Sequence, residues 1–178
     1  SAGPANKGYY SYDIGHWHII VLNSSRHLVG GCGGNSPMIT WLRSDLAANS
    51  KKCTLAYFHQ PLFSSGASGS STKMLPAWNA LYAARADVII SGHDNNYERF
   101  ARQQPDGTLN NNRGIRQFVV GTGGAALRPL GVTKPNSEVR NADAFGVLKL
   151  KLHPASYEWQ FIPQDGSAFI DAGSDRCS

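Results

Sequence analysis

No apolar run in this chain of 178 residues approaches the length of about 18 that a membrane-spanning helix needs, so no membrane partner is expected. Charged residues are scarce at 16% against 41% hydrophobic, which excludes a solvated, disordered chain. Lys and Arg outnumber Asp and Glu by 17 to 12, giving a net charge of +5, yet no basic run is longer than Lys51-Lys52. Specific nucleic-acid binders concentrate their positive charge on one face, so this scatter argues against a nucleic-acid partner and supports only a mild attraction for anions. There are three cysteines, and none has the close spacing of a zinc knuckle or a Cys-x-x-Cys redox motif. Internal repeats are absent.

What is present suits one domain over residues 1–178 with a full hydrophobic core. Ser1-Ala2-Gly3-Pro4 has neither the charge nor the apolar stretch of a leader, so a processed end or a cut is expected there. Two readings of the cysteines stand side by side. Cys32 and Cys53 pair in a secreted or periplasmic protein, or remain buried thiols in a cytosolic one, and Cys177 has no evident partner. Asn23-Ser24-Ser25 is a glycosylation sequon, meaningful in a source that glycosylates.

Tyr9 to Asn23 divides at Gly15 into two strands that form a hairpin. Ser36-Pro37 begins a helix whose Met38, Trp41, Leu42, Asp45 and Leu46 recur at helical spacing, all apolar but Asp45. Thr54 to Phe58 is a short buried strand, Ser64 to Thr72 a mobile surface loop, and Pro76 opens a second helix bearing Trp78, Leu81 and Tyr82. Val88 to Ser91 is the next strand. Alternating strands and helices predict an α/β fold whose neighbouring strands run parallel with right-handed crossovers. Later strands at Gln117 to Val120, Val147 to Leu152 and Tyr157 to Phe161 make the sheet mixed, the last two joined as a hairpin through His153-Pro154-Ala155-Ser156.

Parallel strands that end in His59 and in Gly92-His93 bring both histidines to one sheet edge, where α/β proteins bind ligands. Imidazole nitrogen suits zinc, iron and related divalent ions, and Asp94, Asn95 and Asp13 offer oxygen. A lone histidine at a strand end is more often a hydrogen-bonding residue than a ligand; the pairing strengthens the metal reading. His18 is expected to be structural, Glu98 and Arg99 to pair, and Gly121-Thr122-Gly123-Gly124 to be a tight turn, since it lacks the lysine of a phosphate-binding loop.

Ser91-Gly92-His93-Asp94-Asn95-Asn96-Tyr97-Glu98-Arg99-Phe100 resembles the Gly-His-x-His-x-Tyr-Glu-Arg segment of calcineurin-like metallophosphoesterases, in particular their secreted, purple-acid-phosphatase-like branch. Ala56-Tyr57-Phe58-His59-Gln60-Pro61 is similar to that family's strand ending in His-x-Pro, and the Trp41-Leu42 helix and Val119-Val120-Gly121-Thr122-Gly123-Gly124 match in order. The resemblance implies the carboxyl-terminal half of the family fold, a mixed sheet with flanking helices that forms one half of an α/β/β/α sandwich. It also implies that His59 and His93 bind the second metal of a binuclear zinc, iron or manganese site that activates water for attack on phosphorus. Asn95 stands where a histidine of the first metal belongs, and Gln60 where a second histidine is often found. The family's Asp-x-His, Gly-Asp and Gly-Asn-His-Glu motifs do not occur, so the resemblance implies a hydrolase of phosphate esters that is weak or inactive alone, with any metal partly occupied.

Two other functions fit the residues: a phosphate- or carbohydrate-binding module without metal, and a metal-independent hydrolase with Asp94 and Glu98 as acid and base. Half of a two-sheet sandwich leaves an apolar sheet face to cover, so a homodimer or a complementary amino-terminal fragment is expected as partner, besides a small phosphate ester or anion.

Overall fold

The computed structural model describes residues 6–178, so the Ser1-Ala2-Gly3-Pro4 start lies outside the described residues. In chain order the elements are β1 (Tyr10–Ile14), β2 (Trp17–Val21), the short helix α1 (Arg26–Val29), α2 (Pro37–Ala48), β3 (Cys53–Tyr57), α3 (Leu75–Ala83) and β4 (Val88–Ser91). There follow β5 (Tyr97–Phe100), β6 (Arg116–Val120), β7 (Ser137–Asn141), β8 (Gly146–Leu152), β9 (Ser156–Pro163) and β10 (Ala172–Arg176). Seven strands form one sheet in the order β1-β2-β3-β4-β6-β5-β7, and three form a second in the order β10-β9-β8. In the large sheet β2, β3, β4 and β6 are parallel, while β1, β5 and β7 join antiparallel. This is the α/β class with the mixed sheet expected from the alternation of elements.

The central strands are apolar on both faces because both are covered. On one face α2 and α3 lay Met38, Ile39, Leu42, Trp78 and Leu81 over Ile20, Ala56 and Ile89. Ser36 caps α2, its Oγ accepting from the Ile39 N–H at 3.4 Å, with Pro37 at the first helical position. Asp45, the acidic exception in the helical stripe, accepts from the Ser11 hydroxyl at 2.6 Å and lies 2.8 Å from His18 Nε2; His18 Nδ1 lies 2.8 Å from Asp13. His18 is therefore structural, and Asp13 is held there, at the edge of the sheet where β2 begins and away from the strand ends that carry His59 and His93.

On the other face the small sheet sets Tyr157, Trp159 and Phe161 against Trp17, Ile19, Leu55, Val88 and Phe118. Both Arg99 and Arg116 lie over the Trp159 ring, each 5.0 Å from its centroid, and Tyr97 Oη donates to Asp171 at 2.6 Å. The expected bare sheet face is thus corrected in large part: β8, β9 and β10 cover it. On that face the β1 strip of Tyr10, Tyr12 and Ile14 stays exposed.

Three further expectations are overturned. The disulfide joins Cys53 to Cys177, not to Cys32, because β10 carries the carboxyl-terminal segment back to the start of β3; Cys32 is buried within the helix-side core. Arg99 does not pair with Glu98. Successive residues of β5 point to opposite faces, so Arg99 reaches Asp171 (2.8 Å) and Glu138 while Glu98 turns inward. The segment from Ser64 to Thr72 is no mobile surface loop at its start, since Ser64 and Ser65 are buried.

Candidate functional site

The His59 and His93 loops leave the carboxyl ends of adjacent parallel strands, β3 and β4, and the ladder continues past both strands. Phe58 N–H donates to Ile90 O and Gly92 N–H to His59 O, both at 3.1 Å. His93 then takes φ +68°, a left-handed backbone that turns the chain sharply out of β4. Its Nδ1 faces His59 Nε2 at 3.1 Å, with the rings nearly perpendicular at 85°. Two imidazole nitrogens bound to one tetrahedral zinc would be about 3.3 Å apart, given Zn–N bonds of about 2.0 Å. The pair therefore fits two ligands of a single ion.

The remainder of a ligand set does not assemble around them. Asn95 is half-buried; its Nδ2 donates to Ala126 O at 2.9 Å, and its main-chain oxygen accepts from Arg128 N–H at 3.0 Å. Its Oδ1 is the one side-chain atom left for a ligand. Asp94 is fully buried, accepting from the Ser64 hydroxyl and, at 2.7 Å, from Ser68 N–H. Glu98, also fully buried, accepts from Ser65 N–H at 2.7 Å and from the hydroxyls of Ser65 and Ser137 at 2.6 Å each. Both carboxylates fasten the Ser64–Ser68 segment over β5, and neither opens toward a substrate, which leaves the acid–base alternative without an accessible carboxylate. Among the described residues, the group of three potential ligands within reach of one ion is Cys53, Asp87 and Cys177, at the opposite edge, and two of its sulfurs form the disulfide. At the histidine end the described residues thus bring two nitrogen donors together and no third histidine, cysteine or carboxylate side chain within reach of them.

Glycine permits the close packing beneath the histidine loop. A Cβ on Gly66 would stand 2.4 Å from Asn96 Nδ2 and 2.5 Å from Asp94 Cγ, and one on Gly121 would stand 1.8 Å from the Asp94 carbonyl oxygen. Gly121 N–H donates to Asn96 O at 2.9 Å, and Gly123-Gly124-Ala125 form a bend just beyond it.

The histidine pair opens into a pocket of ≈ 310 Å³ whose lining includes Ser24, His27, Gln60 and Lys73. Gln60 is anchored through its N–H to Ser24 Oγ at 3.2 Å. The His59 imidazolium is disfavoured, first by desolvation and then by the positive charge of His93 and Lys73. His27 and Lys73 were not singled out from the sequence: each lies in an unpatterned segment, and only the fold brings them to the β3 and β4 ends. A wider cavity of ≈ 910 Å³ lies at the far edge, by the disulfide, where Arg102 pairs with Asp175 and His153 with Glu158. It is remote from the histidines, and its lining shares no residue with theirs.

No family model matches the chain. Purple acid phosphatase 22 of Arabidopsis thaliana is 32% identical over 180 residues, covering 92% of this chain, which spans only 39% of that protein. The structure of purple acid phosphatase PPD1 from yellow lupin (Lupinus luteus) seeds superposes with a TM-score of 0.80 at 21% identity, over 94% of this chain and 32% of that one. GAP50, the anchor in the inner membrane complex of Plasmodium, shares the fold at a TM-score of 0.69 and 18% identity, over 96% of this chain and 53% of that one. Together with the ordered motifs and the histidine pair at the β3 and β4 ends, these likenesses show that the chain corresponds to the carboxyl-terminal part of the calcineurin-like metallophosphoesterase fold of the purple acid phosphatase kind.

Proposed function

We propose that the chain is a hydrolase domain for phosphate esters that is weak or inactive alone. The observation that carries this reading is the His59–His93 pair, with nitrogens 3.1 Å apart at the ligand-binding edge of a purple-acid-phosphatase-like fold. His59 Nε2 and His93 Nδ1 would hold one zinc, iron or manganese ion, with Asn95 Oδ1 as a third donor after its amide turns away from Ala126. A bound ion would supply Lewis-acid polarisation of the phosphoryl group and a water of lowered pKa. Activity would be low because carboxamide oxygen is a poorer donor than imidazole and, among the described residues, no carboxylate lines the pocket of the pair to bridge two ions.

The test is metal content and phosphatase turnover of the oxidised chain beside His59→Ala and His93→Ala. Weak zinc binding, lost in both variants, with turnover near background is the expected result. Hydrolysis that survives both substitutions would sink the reading. A phosphate-binding module without turnover is the second reading, favoured by the absence of any carboxylate from the pocket lining.

The Cys53–Cys177 disulfide suits a secreted or periplasmic location. No helix among the described residues is long and apolar enough to cross a membrane. The exposed strip of Tyr10, Tyr12 and Ile14, together with the unpaired outer edge of β8, supports a second copy or a complementary amino-terminal part as partner; light scattering that finds a monodisperse monomer counts against the second copy.

A further inference from the structure

The pocket beside the histidines carries an electrostatic signature different from that of a divalent-cation site. Ser24, Ser25, His27, His59, Gln60, Lys73 and His93 contribute hydroxyls, an amide, three imidazoles and an ammonium, without one acidic group. The carboxylates nearest in sequence, Asp94 and Glu98, are buried under the Ser64–Ser68 segment with their oxygens occupied. Lys73 is the fixed charge. It lies in the 3₁₀ turn Thr72–Met74, which is capped by Ser71 Oγ accepting from Lys73 N–H at 3.4 Å and anchored by the fully buried Met74. The side chain is half-buried, and among the described residues no carboxylate lies within ion-pair distance of its ammonium. A lysine near a protein surface ordinarily has solvent or a carboxylate for company. Here it shares the pocket lining with His59 and His93.

We infer that Lys73 is the anion-binding residue of this pocket, and that it holds a phosphate dianion there without a metal. This deepens the second reading above, since it names the residue and charge type through which a pocket without metal recognises its ligand. A dianion supplies the acceptors that the lining lacks. It accepts from the Lys73 ammonium, and from a ring N–H of His59 or His93 once their mutual contact opens; Ser24, whose Oγ already accepts from Gln60 N–H, keeps its hydroxyl proton to donate. The net charge of +5 favours approach of such a ligand.

The experiment is calorimetric titration of the oxidised chain with inorganic phosphate at low ionic strength, with excess chelator so that no divalent ion takes part. Lys73→Gln should weaken binding by about tenfold or more, the loss of a charge-assisted contact, and Lys73→Arg should stay within about threefold of the parent. Lys149→Gln, on the exposed flank of β8, should bind as the parent does. Equal binding by Lys73→Gln and the parent would overturn the inference, as would an equal loss in Lys149→Gln or an absence of phosphate binding until zinc is added. Because metal is excluded, failure here leaves the metal reading of His59 and His93 standing, and loss of zinc binding in the histidine variants leaves this inference standing.

Discussion

Cys53, the first residue of β3, is bonded to Cys177, the second residue from the end of the sequence, across a separation of 124 residues. The bond ties the segment after β10 to the edge of the large sheet opposite the histidines, and Asp87 reinforces it by accepting from Ser178 N–H at 2.6 Å. Closing so long a loop restricts the unfolded chain, so replacing both cysteines by serine should lower stability by about 2–5 kcal/mol in urea unfolding. A non-reducing peptide map should recover the Cys53–Cys177 linkage in the parent and unchanged in Cys32→Ser; a linkage in the parent that includes Cys32 would refute the arrangement.

Asp94 is the main fastener of the segment over β5. Alanine there strands the buried Ser64 hydroxyl and removes the acceptor of the Ser68 N–H, which belongs to an exposed residue, a cost of about 1–3 kcal/mol. Asparagine keeps an acceptor for Ser68 and presents an N–H to Ser64 Oγ, so Asp94→Asn should recover part of the loss. Amide exchange is the discriminating measurement, because protection at Ser68 should fall in Asp94→Ala even under conditions where the protein remains folded. Unchanged protection would mean that the segment is held by something other than Asp94.

The placement of His59 and His93 was legible because two apolar stretches, Thr54 to Phe58 and Val88 to Ile90, run toward histidine in the same direction, and the helix between them forces a parallel crossover. The strands that bind the far edge together were not legible for the opposite reason. In β7, Ser137-Glu138-Val139-Arg140-Asn141, and in β10, Ala172-Gly173-Ser174-Asp175-Arg176, side chains are half-buried or exposed and no apolar alternation marks a face. With β10 unseen, Cys177 had no place in the fold, and Cys32 stood as the nearer partner for Cys53. The run of serine and glycine from Ser64 has the composition of a mobile loop, yet its short side chains let the backbone come within reach of Asp94 and Glu98, whose burial requires hydroxyl and N–H donors. Lys73 shows the same limit from the other side. Its sequence neighbours give no hint of a site, and its role arises from the turn that follows this fastened segment.

Two glycines two residues apart, Gly121 and Gly123, separate a packing requirement from a local preference. At Gly121 a methyl group would overlap the Asp94 carbonyl oxygen at 1.8 Å, a main-chain atom that cannot swing aside, whereas at Gly123 a methyl group meets nothing within 4 Å. Gly121→Ala should therefore cost about 3 kcal/mol or more and disturb the His93 loop, while Gly123→Ala should stay within about 1 kcal/mol of the parent. Thermal unfolding of the two variants side by side provides the comparison, and similar midpoints would show that the turn can move away from Asp94.

Asp87, just before β4, gives the protein a pH dependence of unusual sign for a carboxylate that accepts two N–H donors. Burial pushes its carboxyl up to about 6 from an ordinary 3.8, while the N–H groups of Thr54 and Ser178 hold it lower than burial alone would. Below about pH 4 the group is protonated in the folded and unfolded chains alike and exerts no penalty. Between about pH 4 and pH 6 the unfolded chain has released the proton that the folded chain still keeps, so stability falls as pH rises, by up to about 3 kcal/mol once the folded group has also ionised. Asp87→Asn cannot ionise and should lack this slope, although it loses one of the two acceptors and is less stable at low pH. Urea unfolding of the parent and Asp87→Asn from about pH 4 to pH 7 isolates the residue, because every other titrating group is shared. The difference in stability should shift in favour of the variant as pH rises, and a difference that stays constant would mean that the N–H donors at Thr54 and Ser178 fully offset the cost of burial.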